Sequence, residues 1–308
     1  MKILVTESQY RKILGEEKEQ KILKFPSLEF FDEDPWEAWK IIQKIIEKKG
    51  YPPYTIDGDL DLINTPIESL GNLTSVDGDL DLHETPIESL GNLQTVGGYL
   101  DLQETPISSL GNLQSVGKFL WLSRSSIKSL GNLQSVGGDL SLGNTPIEFL
   151  GNLQSVGGDL SLRRTPLESL GNLQSVGGNL DFLETPITSL GNLQTVGGDL
   201  FLAATPIESL GNLKSVGGDL GLRFSRIESL GNLQSVDGNL NLSNTPIKSL
   251  ENLQSVGGFL SLRYTPIESL GNLQSVVGAL DLRVTPISKK YTEGQIRQMV
   301  DVKGDIYL

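Results

Sequence analysis

The sequence predicts a solenoid, mainly β with irregular returns, and three observations predict it. A twenty-residue pattern recurs from Ile56 onward, with leucine at 60, 80, 100 and so on to 280. Within each unit the apolar spacing is first two and then three, and proline and glycine forbid a long helix. The units follow one another without insertion, so the length of the chain is a count of units. The reading divides the chain into a helical capping segment at 1–55, twelve repeats at 56–287 and a C-terminal cap at 288–308.

The N-terminal segment contains "DPWEAWKIIQKIIEKK", residues 34–49. Asp34 is placed as an N-cap, Pro35 in the first turn, Glu37 as the closing member of a capping box and Gly50 as the stop. Trp36, Trp39, Ile42 and Ile46 then form one apolar stripe, which suits the cover that an open solenoid needs over its first unit. A second helix is expected around Thr6 to Leu14, boxed by Thr6 and Gln9.

One repeat reads L-x-L-x-x-T-P-I-x-x-L-x-x-L-x-x-V-x-G-x, as in Leu160, Leu162, Leu167, Leu170, Leu173 and Val176. Leu160 and Leu162 are two apart, so they share one face of an extended strand while Asp159, Ser161 and Arg163 point to the other. A single unit buries too little to order itself, and parallel stacking supplies both the missing burial and the backbone partners. Gly151-Asn152 and its relatives, with Glu251 replacing one glycine, are read as corners. Gly157-Gly158 precedes a strand and no helix, which argues against a phosphate loop.

These residues resemble a leucine-rich repeat, and the return "SLGNLQSVGGDL" is similar to the glycine-containing variety of receptor L domains. The resemblance covers residues 56–287 and implies a right-handed array with a parallel sheet and an exposed sheet face lining the inner wall of an arc. One departure concerns the usual asparagine of the strand-ending turn, which here is Thr165 or its equivalents, with Ser125 and Ser225 in two units. A hydroxyl can make some of that turn's backbone bonds. At the far end Thr292 and Gln295 stand in a capping relation, and "VKGDIYL" repeats the strand signal with Ile306 and Leu308 in the leucine slots. Asp305 and Tyr307 are placed to guard that edge.

Function is sought in the letters that vary, which concentrate in the slots of Asp159, Ser161, Arg163 and Arg164. The first units present Asp59, Asp61, Asp79, Asp81 and Asp101, with Tyr99, Phe119 and Trp121 beside them on adjacent strands. Farther along come Phe201, Phe259 and a basic row of Arg163, Arg223, Arg263 and Arg283. Exposed aromatics beside a charged field are the chemistry of a recognition surface, so these residues are the expected contacts of a protein partner. A spacer without a ligand and a carbohydrate-binding adhesin stay open as alternatives.

Net charge is −13. Residues 1–56 balance, with ten basic against ten acidic side chains, so the repeats carry the whole excess. An acidic array argues against nucleic acid. The absence of cysteine excludes disulfides, thiolate metal sites and cysteine nucleophiles. Asp57, Asp59 and Asp61, with Asp77, Asp79 and Asp81 one strand away, could gather carboxylates around calcium, with Asp59, Asp61, Asp79 and Asp81 as its ligands, but "DGDLDL" lacks the spacing of an EF-hand loop and has no distal glutamate, so no metal is expected. His83 is a lone histidine at a strand end, no serine sits in a nucleophile elbow, and the chain is read as a non-enzyme without cofactor. With neither a secretory h-region nor a membrane span in the sequence, the expectation is a soluble cytoplasmic protein, or one of host cell or virus particle if virally encoded.

Overall fold

The computed structural model describes residues 22–31 and 34–308, so the helix expected around Thr6 to Leu14 lies outside the described residues. The molecule is a parallel β-solenoid whose coils from Leu60 to Leu280 stack with a twenty-residue register, Leu140 opposite Leu160 and Leu160 opposite Leu180, while the last coil is longer and sets Leu280 opposite Ile306. Leucine, isoleucine and valine of every coil, such as Leu160, Leu162, Leu167, Leu170, Leu173 and Val176, are buried in one continuous core. No helix of the described residues is long and apolar enough to cross a membrane.

Each coil contributes two short strands. Leu160–Ser161 and its equivalents build a thirteen-stranded sheet that runs from Leu60–Asp61 to Ile306–Tyr307. Ser175–Val176 and its equivalents build a second sheet of fourteen strands, from Leu23–Pro26 through Tyr54–Asp57 to Asp301–Val302. The return expected to be irregular therefore carries its own ladder, with Gln174 N donating to Gln154 O at 2.8 Å and Gly177 N to Val156 O at 2.8 Å. A constant coil length brings every backbone group over its counterpart, so any extended stretch pairs.

Side chains close the corners between the strands. The Thr165 hydroxyl donates to the Leu162 carbonyl at 2.9 Å, and most other coils repeat the bond, so the hydroxyl does serve the strand-ending turn. The next corner is left-handed: Asn64, Arg164, Val284 and their equivalents have φ between 53° and 62° without a single glycine among the twelve. Ordinary side chains hold αL poorly, and stacking supplies the compensation. Gly157 and Gly158 are glycines for want of space. A Cβ at Gly157 would fall on the Gly137 carbonyl oxygen, and one at Gly158 on the Asp139 carboxylate.

The ends follow the sequence with two changes, of which one is that Leu308, expected in a leucine slot, is 41% exposed because no further coil covers it. Helix α1, Pro35–Lys48, buries Ala38, Trp39, Ile42 and Ile46, while Trp36 is half-buried against the same core. Asp34 caps it by accepting from Trp36 N at 3.0 Å, but Glu37 pairs with Lys40 instead of closing a box. At the C-terminus, after a short helix α2 at Pro286–Lys290, helix α3 at Glu293–Met299 has the complete Thr292–Gln295 box. Arg297 of α3 donates to Val302 O at 2.6 Å and Gly304 O at 3.0 Å. In the coil before, the equivalent carbonyls of Val276 and Gly278 accept from Lys303 N and Gly304 N, so the guanidinium takes the place of the next coil's donors.

Candidate functional site

The outward face of the thirteen-stranded sheet carries three parallel rows of side chains: one just before the strand, one on it and one at its exit. In the strand row Asp61, Asp81, Asp101 and Trp121 stand directly opposite one another on successive strands. Tyr99 and Phe119 flank Trp121 from the row before the strand. The Tyr99 and Trp121 ring centroids are 5.3 Å apart and tilted, and Phe119 lies parallel to Trp121 with centroids at 5.7 Å. The three rings come together as the spacing implies, but the cluster expected to be exposed is partly covered, with Phe119 37% exposed and Tyr99 and Trp121 half-buried.

The row before the strand has a structural use that the sequence reading missed. The Asp59 carboxylate accepts from Asp79 N and the Asp79 carboxylate from Tyr99 N, both at 2.8 Å. The ladder stops at Tyr99 and Phe119 and resumes at Asp139, which accepts from Asp159 N at 2.8 Å. It then runs through Asn179, Asp199, Asp219 and Asn239 to Phe259 N. Asp59 and Asp79, expected as free contacts or calcium ligands, are thus engaged by the backbone. Phe259, expected as exposed, is half-buried, and its N–H donates the ladder's last bond to Asn239 Oδ1. Among the described residues no three His, Asp or Glu side chains gather as a metal cage.

Asp101 also corrects the expectation of exposure, being only 7% exposed. It lies between Asp81 and Trp121, and its two oxygens accept from Gln103 N at 2.9 Å and Gln103 Nε2 at 3.1 Å. Asp61 and Asp81 accept from the backbone N–H two residues on, at 3.1 and 2.9 Å. Burial pushes the Asp81 carboxyl above its ordinary value, and the charges of Asp101 and Asp61 add to the shift against the lowering bond from His83 N. Burial and then Asp81, Asp79, Asp61 and Asp101 likewise raise the Tyr99 phenol. His83 Nδ1 is buried without a hydrogen bond, 3.9 Å from Asp101 Oδ1.

The expected basic row is engaged within the chain. Arg163 pairs with Asp181, and Arg283 with Asp281 at 2.7 Å. Arg223 lies over the Phe224 ring at 4.4 Å and Arg263 over Tyr264 at 4.6 Å. Phe201, 51% exposed, lines an open recess of about 620 Å³ with Leu183, Pro186 and Ala203. The sequence reading also missed Phe149, 66% exposed, which stands in a corner slot where the other units have serine. Those serines accept from the N–H two residues on, as Ser169 does from Gly171 N at 3.2 Å, so a lone phenylalanine in that slot was a readable signal.

Compared with known proteins, the chain matches no family model, no curated protein and no solved structure. What the geometry shows is a repeat protein: a parallel solenoid of twenty-residue coils with leucines at regular positions.

Proposed function

We propose that the chain is a non-catalytic recognition scaffold of the leucine-rich-repeat type, binding a protein partner through the outward face of its thirteen-stranded sheet. The carrying observation is the interruption of the carboxylate ladder at Tyr99 and Phe119. Those two rings forgo acceptors for the next coil's N–H, and they sit instead around Trp121 as a partly exposed platform. Drift alone gives no reason for three rings to converge where a ladder bond is lost, whereas recognition does, because rigid aromatics bury large area at little entropic cost. The leucine-rich-repeat assignment is supported by the spacing of Leu160, Leu162, Leu167, Leu170 and Leu173 and their equivalents, with the threonine hydroxyls standing in for the asparagine of the strand-ending turn.

Affinity capture tests the reading, with the native chain against a Tyr99→Ala, Phe119→Ala, Trp121→Ala variant that keeps its circular dichroism. A partner held by the native chain alone supports it. Equal capture by both, or capture by neither, favours a spacer in which the coils only set distance.

A further inference from the structure

The geometry points to the kind of partner: we propose that the face of the first four coils receives a basic polypeptide segment, its arginine or lysine side chains laid along Asp61 and Asp81, over the buried charge of Asp101, and against the Trp121 ring. This rests on the recognition reading above and adds a ligand chemistry to it.

The argument is a comparison within one row. Five strand positions of the thirteen-stranded sheet carry aspartate: 61, 81, 101, 181 and 281. Asp181 is neutralised by Arg163 and Asp281 by Arg283, each arginine standing in an exit slot. The exit slots beside the other three hold Ile63, His83 and Gln103. Among the described residues no lysine or arginine forms an ion pair with Asp61, Asp81 or Asp101; the nearby Lys118 reaches Asp79, at 3.7 Å. Like charges facing each other across parallel strands repel. The chain therefore neutralises this position with arginine in two coils and leaves three successive strands without lysine or arginine, His83 at 3.9 Å from Asp101 being the one basic side chain among them, immediately beside its aromatic platform.

A cationic segment satisfies both halves of the surface. Guanidinium and ammonium groups pair with carboxylates, and they are attracted to ring faces, strongest at tryptophan. The chain uses the same chemistry internally where Arg223 covers Phe224 and Arg263 covers Tyr264. With strands ~4.8 Å apart, the row from Asp61 to Trp121 is roughly 14 Å long, about four residues of extended chain. A phosphate-bearing polymer is repelled by the row, and a neutral sugar leaves the carboxylates unpaired.

Fluorescence anisotropy with a labelled peptide Gly-Arg-Ser-Arg-Ser-Arg-Gly, and with its glutamate counterpart, tests this at low and high salt. The native chain should bind the arginine peptide in preference, less tightly as salt rises. Asp61→Asn, Asp81→Asn, Asp101→Asn together should weaken binding at least tenfold, and Trp121→Ala should do the same. Urea midpoints of both variants, measured alongside, show that the face is intact. Glu148→Gln, Glu168→Gln, Glu208→Gln, which removes equal charge from another side of the coils, should leave affinity unchanged. Equal loss in the glutamate set, equal binding of both peptides, or retention in Trp121→Ala overturns the proposal. A captured partner that depends on Trp121 but is not displaced by the arginine peptide overturns the cationic ligand while the recognition reading stands; failure of any Trp121-dependent capture removes the recognition reading itself.

Discussion

Asp81 and Asp281 occupy the same slot of the same sheet ten coils apart, and their surroundings drive them in opposite directions. Asp281 is 3% exposed, and burial by itself would raise its carboxyl. Hydrogen bonds and the charge of Arg283 outweigh burial and hold it below its ordinary value. Asp81 has no arginine; burial raises it and its aspartate neighbours raise it further, against the weaker lowering by the bond from His83 N and the His83 charge. One repeat template therefore yields a self-satisfied surface at one end and an unsatisfied one at the other. Uncompensated charge that a fold could have paired is a cost to stability, and binding sites are where such costs are kept.

The sharpest way to break this comparison concerns space. Where the row before the strand is aspartate or asparagine, its side chain lies where the next coil's glycine would place a Cβ, as Asp199 does at Gly218. Lys118 is the one non-glycine in that slot, and it follows Tyr99, which has no carboxylate to put there. Gly218→Ala should cost about 2–4 kcal/mol, from overpacking and lost ladder geometry together. Lys118→Ala should cost less than about 0.5 kcal/mol. Urea unfolding midpoints measure both, and equal costs would show that the aromatic coils are packed no differently from the rest.

Charge comes next. At pH 7, Arg283→Ala should destabilise by about 1–3 kcal/mol because it leaves a buried carboxylate without its cation. Asp81→Asn should instead stabilise by roughly 0.5 kcal/mol, since it relieves repulsion across the strands. The pH dependences carry opposite signs. The lowered Asp281 contributes stability that is present above the ordinary carboxylate value and is lost as pH falls through its depressed one. The raised Asp81 opposes folding increasingly as pH rises from the ordinary value through the elevated one. Thermal melts from pH 7 down to pH 3 should therefore show the benefit of Asp81→Asn fading toward acid, and the same slope in the native chain and the variant would contradict the assignment.

A small effect of opposite sign is the most diagnostic. Phe119→Asp should restore an acceptor for Asp139 N, with Gly138 already in place beneath it, and stabilise the array by about 0.5–1.5 kcal/mol. The same change removes one ring of the platform. Higher melting temperature together with lost partner binding is the expected outcome, whereas a destabilised variant would mean that the rings are there for packing.

The spacing of leucines, the α1 stripe and the terminal Thr292–Gln295 box were legible because each is a local pattern with a fixed period or a fixed offset. Proline, glycine and the three-residue spacing hid the second sheet, since a two-residue strand such as Ser175–Val176 has no alternation to read. The aromatic cluster was legible because positions twenty apart become neighbours once the repeat is recognised. Its meaning was not: Asp59 and Asp159 look like decoration until Asp79 N and Asn179 N are found bonded to them.

The sequence by itself determined that the chain stacks, in what register, and which slots face outward, because repetition converts linear distance into spatial neighbourhood. Only the tertiary structure decided which outward groups are free. Asp59, Asp181 and Asp281 are equally acidic on paper, and the first is held by a backbone N–H while the other two are held by arginines. Asp101 is covered by its neighbours, and among the described residues no lysine or arginine pairs with Asp61 or Asp81. Whether a charge is compensated depends on partners within a few ångströms in three dimensions, and those distances are set by packing between coils.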